Sequence, residues 1–428
     1  MVWHNLKSEL EKDHTDSRSF NLLNQSVVVL MCALIFINPF PHIQTTHEIA
    51  FYFAVFTVLV LVLSKKIKLE FNTPLTTPFI LYASWAFIGL FFALDKLDSA
   101  HDFYSHLLKY IILYYILINF FSSKNRLILL SWMILISATI FSVVSLFYFY
   151  ITLGNPLSMR FGQGFPNSAT NVMGYTTVFA LLLSFHYLKS ERRLYPKLFL
   201  IISFIFLSAA SFLPQSRGTI LAAVFAFFII LKRKKTYSLF VGIVIVLIVW
   251  SPLKDRIVNP EYYHDRLFLT FFSLEIIKDY PIIGVGYSLD ALKNHNLIDP
   301  VRYKARLPEK YRSYKYPGTN IEYAFILPHS MFLNVPVRLG LVGLGLFLYI
   351  LFAFSKMSWT LTKNGENDFI KSWNLVIFSA FVMFVVKGAF EPIDTHIVEV
   401  IYFTIFSMMT ILWRLNEEED PGGYVSTL

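Results

Sequence analysis

The chain has 428 residues, of which 56% are hydrophobic, 18% aromatic and only 15% charged, with a net charge of +9 and a mean hydropathy of +0.56. That balance excludes an ordinary soluble domain, which has no use for so much apolar surface. The positive charge falls in short clusters between apolar runs rather than along one face, so it reads as membrane topology and not as a nucleic-acid surface.

The polar opening, Met1 to Ser19, is too long and too acidic for the first part of a signal peptide, and no small-residue cleavage site follows the first apolar run. That run is expected to be retained. It contains the single cysteine, Cys32, so no intramolecular disulfide is possible. A membrane helix needs about 20 apolar residues. Runs of that kind fall near 22–41, 47–64, 77–94, 104–121, 127–152, 168–188, 197–213, 219–231, 237–251, 328–355, 370–390 and 396–414. The predicted fold is therefore an all-α, polytopic integral membrane protein with about twelve spans. Residues 1–251 hold the N-terminal spans, 252–327 a long loop, and 328–428 three further spans and a tail.

A cytoplasmic N-terminus puts Lys65 to Lys68, Lys124 to Arg126, Lys189 to Arg193, Lys232 to Lys235 and Lys356 to Lys363 all inside. That arrangement satisfies the positive-inside rule and makes both termini cytoplasmic. The acidic tail Glu417 to Asp420 has little weight in the rule. The opposite face then holds 153–167, 214–218, the long loop, and the turn Glu391 to His396.

In the long loop, cations alternate with tyrosines: Arg256, Arg302, Lys304, Arg306, Lys310, Arg312 and Lys315 with Tyr262, Tyr263, Tyr303, Tyr311, Tyr314 and Tyr316. Such pairs suit sugar rings and phosphates, or equally an interfacial aromatic belt with snorkelling cations. Segment 264–280 reads as an amphipathic helix against the membrane surface, with Leu267, Phe271, Leu274, Ile276 and Ile277 at helical spacing. Arg266 near its start opposes the helix dipole, so another partner is expected for it.

Three further positions share that isolation. Arg160 lies in a glycine-rich turn with Gln163 and Asn167, and Arg217 lies in the five-residue link Pro214-Gln215-Ser216-Arg217-Gly218. A lone arginine this close to hydrocarbon needs a partner, either an external anion or a carboxylate from Glu391 or Asp394. His329, in Leu327-Pro328-His329-Ser330, places an imidazole where a span meets water. It is a candidate base or, alternatively, a capping or interfacial histidine. His396, Glu391 and Asp394 are the other candidate bases. Asp95, Asp98, His101, Asp102 and His106 form a dense polar group that reads as a cation site or, with more weight, as a solvated loop.

The ordered set resembles the bacterial O-antigen ligase and polymerase superfamily. It comprises Arg160 with Pro166-Asn167, Ser216-Arg217-Gly218 heading a span, Arg266 with Asp279-Tyr280-Pro281-Ile282-Ile283-Gly284-Val285-Gly286, and His329-Ser330 leading to Leu339-Gly340-Leu341-Val342-Gly343-Leu344. The sequence departs from the family pattern at Ser330, where asparagine is common, and at Arg338, where an acidic residue is frequent. The resemblance implies a GT-C-like glycosyltransferase of the inner membrane of a diderm bacterium, active at the periplasmic face and independent of metals or other cofactors. It implies an undecaprenyl-diphosphate-linked glycan donor and a lipid A-core acceptor, amid membrane lipids and with no nucleic acid. Arg160, Arg217 and Arg266 would bind the diphosphate, Gln163, Asn167 and Arg338 would belong to the substrate-binding set, and His329 would act on the acceptor with inversion at the anomeric carbon. The basic loop favours a ligase. A polymerase or protein O-oligosaccharyltransferase of the same superfamily is the alternative reaction, and a lipid or solute transporter the alternative class.

Overall fold

The computed structural model describes residues 18–164, 168–231, 261–313, 328–365, 367–392 and 395–419, with Ser238 and Gly242 besides. The predicted run 237–251, Asn167, Asp394, Arg256 and Tyr314 to Tyr316 lie outside them, as do the side chains of Gln163, Tyr262 and Tyr263.

The described chain is helical apart from one two-residue antiparallel ladder, which pairs Gln163 with Ala169 and Gly164 with Ser168. The helices are α1 (Arg18–Ile37), α2 (Gln44–Leu63), α3 (Thr76–Phe92), α4 (Lys96–Asp102), α5 (Lys109–Phe120), α6 (Lys124–Phe147), α7 (Thr170–Ser190), α8 (Leu194–Phe212) and α9 (Arg217–Ile230). They continue with α10 (Glu261–Asp279), α11 (Pro300–Ala305), α12 (Glu309–Arg312), α13 (Met331–Asn364), α14 (Asp368–Gly388) and α15 (His396–Glu419). A π-helical turn, Phe103–Leu108, joins α4 to α5. Every predicted span among the described residues coincides with a helix or this continuous stretch. Among the described residues, seven helices are long and apolar enough to cross a membrane: 41–63, 96–120, 124–152, 194–212, 331–364, 368–388 and 396–418. Residues 21–37, 76–92 and 217–230 form shorter apolar helices. The protein is a polytopic membrane protein.

Polar side chains set the helix starts. Ser123 accepts a hydrogen bond from Arg126 N, Asn367 from Ile370 N and Ser330 from Phe332 N, each satisfying an N–H that has no partner within its helix. The buried faces then pair α9 with α14, α7 with α8, α1 with α2, α5 with α15 and α3 with α13.

The long loop has a core of its own. Phe268, Leu269, Phe272 and Ile276 of α10 pack with Val285, Leu289, Ile298, Tyr303, Leu307 and Tyr311, and with Val337 of α13. The buried stripe of α10 is thus set by Phe268, Phe272 and Ile276, one turn apart. Leu267 and Leu274, predicted on the apolar face, are 43% and 40% exposed instead. The expected face is rotated because the helix covers its own loop and the start of α13.

Two of the loop arginines also have structural partners. Arg302 Nη2 and Arg306 Nη1 reach opposite oxygens of Asp279 at 3.2 and 2.8 Å, and Tyr303 Oη donates to Asp279 Oδ2 at 3.0 Å. The hydrogen bond from Arg306 leads the effects that hold the Asp279 carboxyl below the usual range. Both arginines are solvent-accessible, so their pairing with Asp279 is a weak one. Asp279→Ala should speed amide exchange in residues 300–312 while leaving global melting nearly unchanged; a large global loss would show that the loop core depends on this clamp.

Segment 281–286 runs as an extended strap along α13. Val285 N donates to Val337 O at 2.9 Å, Gly286 N to Arg338 O at 3.1 Å, and Leu341 N to Pro281 O at 2.7 Å. The strap fits because α13 breaks at Gly340, where φ is 67° and ψ −174°. That conformation is essentially restricted to glycine. A Cβ there would overlap the Ile282 carbonyl, and one on Gly284 would overlap the Arg338 carbonyl. The displaced Leu339 carbonyl accepts a hydrogen bond from Trp85 Nε1 at 2.9 Å.

Candidate functional site

One corner, Gly388 to Glu391 after α14, gathers residues that are far apart in the chain. Gly388 lies so close to α13 that a Cβ would overlap Met331 Sδ, which brings His329 and Ser330 beside it. A Cβ on Gly218 would lie 3.0 Å from Phe390 Cβ, so the Ser-Arg-Gly link abuts the same corner. Ser216 caps α9 through Thr219 N, and Arg217 is the first residue of that helix. Arg160 approaches from the other side, donating from Nε to Pro214 O at 2.7 Å, while Phe161 N donates to Leu213 O at 3.1 Å. The two arginine-bearing links are therefore tied together by backbone contacts.

Arg266 reaches into this corner from the second turn of α10. Its Nη1 donates to His329 O at 3.2 Å and to Phe390 O, and its Nη2 donates to Glu391 Oε1 at 3.1 Å. The partner expected for this arginine is Glu391. Its side chain remains 37% exposed, so part of it still faces the surroundings.

Glu391 is the hub. Its Oε2 lies 4.0 Å from His329 Nδ1, within ion-pair reach but beyond a hydrogen bond. His329 Nδ1 is buried although 38% of the side chain is accessible. The accessible side is therefore the opposite, Nε2, edge. Burial alone would raise the Glu391 carboxyl, but His329, Lys387 and Arg266 together outweigh it and hold the group below its ordinary value.

The sign of the pH dependence follows. A carboxyl depressed in the folded state contributes stability that is fully present above its unfolded value, and that contribution is lost as pH falls through the folded value. Wild type should therefore melt progressively lower as pH drops below about 4.5. Glu391→Gln should flatten part of that fall, and an unchanged profile would mean that Glu391 is not a coupled group.

Lys387, one turn before Glu391, escaped the sequence reading. It is fully buried, donates to Thr219 Oγ1 at 2.8 Å, and lies 4.8 Å from the Tyr175 ring centroid. Gly174 makes room for it, since a Cβ there would lie 3.1 Å from Lys387 Cε. A single lysine within an apolar run was the available signal.

Arg338 sits elsewhere. It is buried, lies 3.6 Å from Asp102 Oδ2, and stacks 4.8 Å from the Tyr287 ring centroid. The expected grouping with Arg266 and His329 is not what the described contacts build: the break at Gly340 and the strap carry Arg338 toward α4. Of the polar group 95–106, Asp98 and His101 are exposed, and His106 instead pairs with Glu399. His396 likewise turns away, to Tyr110 Oη at 2.8 Å.

Residues 202–348 match the family model described as O-antigen ligase. Over that stretch the chain is similar to the O-antigen ligase family. The matched stretch covers roughly a third of the chain, from α8 into α13, and contains Arg217, Arg266, His329 and Arg338. Arg160, Lys387 and Glu391 lie outside it. No curated protein matches the chain. The matched stretch thus supplies the histidine and two of the arginines of the corner, while the chain after it supplies the carboxylate that organises them.

Proposed function

We propose that this protein transfers a glycan from undecaprenyl diphosphate to a hydroxyl of lipid A-core at the periplasmic face of the inner membrane, with inversion and without a metal in the chemistry. The observation that carries the proposal is the corner where Arg266, His329 and Glu391 meet beside the Arg217 link. In this reading the acceptor oxygen attacks the anomeric carbon as the bond to the diphosphate oxygen breaks. The bonding pair leaves on the phosphate, and the acceptor proton passes to His329 Nε2. Glu391 stabilises the imidazolium through the facing Nδ1 edge.

Negative charge grows on the departing diphosphate, so fixed cations there stabilise the transition state more than the bound donor. Arg217 and Arg160, on the two tied links, are the proposed phosphate ligands. Arg266 shares its guanidinium between Glu391 and the donor, which makes it chiefly a residue that positions the corner. Gln163 and Asn167 remain proposed substrate contacts beside Arg160, and Arg338 a residue that holds the strap rather than a direct ligand. The cytoplasmic termini proposed from the basic clusters place this corner on the periplasmic side.

The test combines reconstituted protein, undecaprenyl-diphosphate glycan and rough lipopolysaccharide in the presence of EDTA. A shift of the lipopolysaccharide to higher mass supports the ligase. Lengthened lipid-linked glycan would point to the polymerase, and a donor that changes leaflet without being consumed would point to a transporter.

A further inference from the structure

A second polar cluster lies between the α4–α5 stretch and the start of α15. His106 Nδ1 is 2.8 Å from Glu399 Oε2, and the His106 and His396 rings stack with centroids 4.7 Å apart and planes 15° from parallel. One ligand atom from each of His106, His396 and Glu399 lies within 4.8 Å of the other two. We propose that these three residues bind one divalent transition cation of the zinc class, which fastens the 96–120 helix stretch to α15.

Two imidazoles and a carboxylate are a borderline donor set that suits zinc and its neighbours better than magnesium or calcium. His106 stands in the π-helical turn 103–108, and π turns interrupt helices at a cost that functional sites commonly justify. The Tyr110 hydroxyl at 2.8 Å from His396 Nδ1 orients the ring; when Nδ1–H donates to it, the Nε2 lone pair is left for a metal. Glu399 and His106 are only 9% and 16% exposed, so bulk water competes weakly.

The neighbouring charges come already paired. Arg338 faces Asp102, and Lys109, on the same helix stretch, binds Glu48 of α2. His47 of α2 lies in the same region and lines a cavity of about 40 Å³ together with His396. The arriving cation therefore meets the Glu399 carboxylate, already in contact with His106, beside cations that are themselves paired. Binding replaces the proton held between His106 and Glu399, which leaves to solvent, and a water completes the coordination. Affinity should accordingly fall as pH drops. The glycosyl-transfer reading draws nothing from this cation.

The test uses the full chain in detergent, dialysed against zinc and then passed through a desalting column. Wild type and His329→Ala should each retain about one zinc. His106→Asn and His396→Gln should each bind at least about tenfold more weakly, and the double variant should retain none. Cobalt(II) added to wild type should give visible d–d absorption that zinc removes. Titration in buffers of different ionisation enthalpy should report proton release. Zinc in wild type no higher than in the double variant, retention by the double variant, or loss in His329→Ala would overturn the site. If a variant fails to elute as a single species, the cobalt spectrum of wild type decides: no visible bands refutes the proposal. Measuring zinc on the same EDTA-treated sample used for transfer keeps this result separate from the transferase reading.

Discussion

His329→Ala should lower single-turnover glycan transfer by about 10²- to 10⁴-fold, the usual contribution of a positioned general base, while leaving donor binding within a few-fold of wild type. Two features set that expectation. The ring's Nδ1 is buried toward Glu391 and its other edge is accessible, the arrangement of a base held by a carboxylate. The two arginines proposed as phosphate ligands do not depend on the imidazole, because Arg217 is fixed by the start of α9 and Arg160 by Pro214. Arg217→Ala should show the converse pattern, with weaker donor binding and slower transfer together. A His329→Ala protein that binds donor and transfers at the wild-type rate would remove the histidine from the chemistry and leave Glu391 as the nearest alternative base.

Gly340→Ala should be the most damaging single methyl group in the described chain, costing at least about 3 kcal/mol in backbone strain and displacement of the strap. The residue has φ 67° with ψ −174°, and its missing Cβ is replaced in space by the Ile282 carbonyl. The chain cannot relax by straightening α13, since Leu339 O would then lose Trp85, and Val337 O and Arg338 O would lose the strap donors. Gly345→Ala is the control: no other atom lies within 4 Å of a Cβ placed there. Thermal melting in detergent should show a large loss for the first variant and little change for the second. Equal losses would mean that the strap is not what makes position 340 sensitive, since helix propensity alone favours alanine over glycine. Arg338 should also be displaced in Gly340→Ala, since its carbonyl is the strap's acceptor.

The amino-acid sequence makes the class of molecule and the position of nearly every described helix legible. Apolar runs near 20 residues admit one backbone solution in hydrocarbon, a helix that satisfies its own hydrogen bonds. It also picked out Arg160, Arg217, Arg266 and His329, because isolated charges beside apolar runs stand out against so uniform a background. Burial within the loop was less legible. The helix period of α10 was visible, but which stripe faces inward depends on Phe268 and Phe272 meeting Tyr303 and Tyr311, residues more than 30 positions away.

Which side chains meet depends on the packing of the helices. In one dimension Glu391 is one of two candidate carboxylates and Lys387 a single lysine in an apolar run; they become the hub because Gly218 and Gly388 let α9 and α13 close on the same corner. His106 joins Glu399 across 293 positions, and the acidic neighbours that seemed its natural company stay outside. A sequence records which groups are costly to leave unpaired. Which pairs form is fixed by helix packing, where a hydrogen that replaces a methyl group sets how closely two backbones approach.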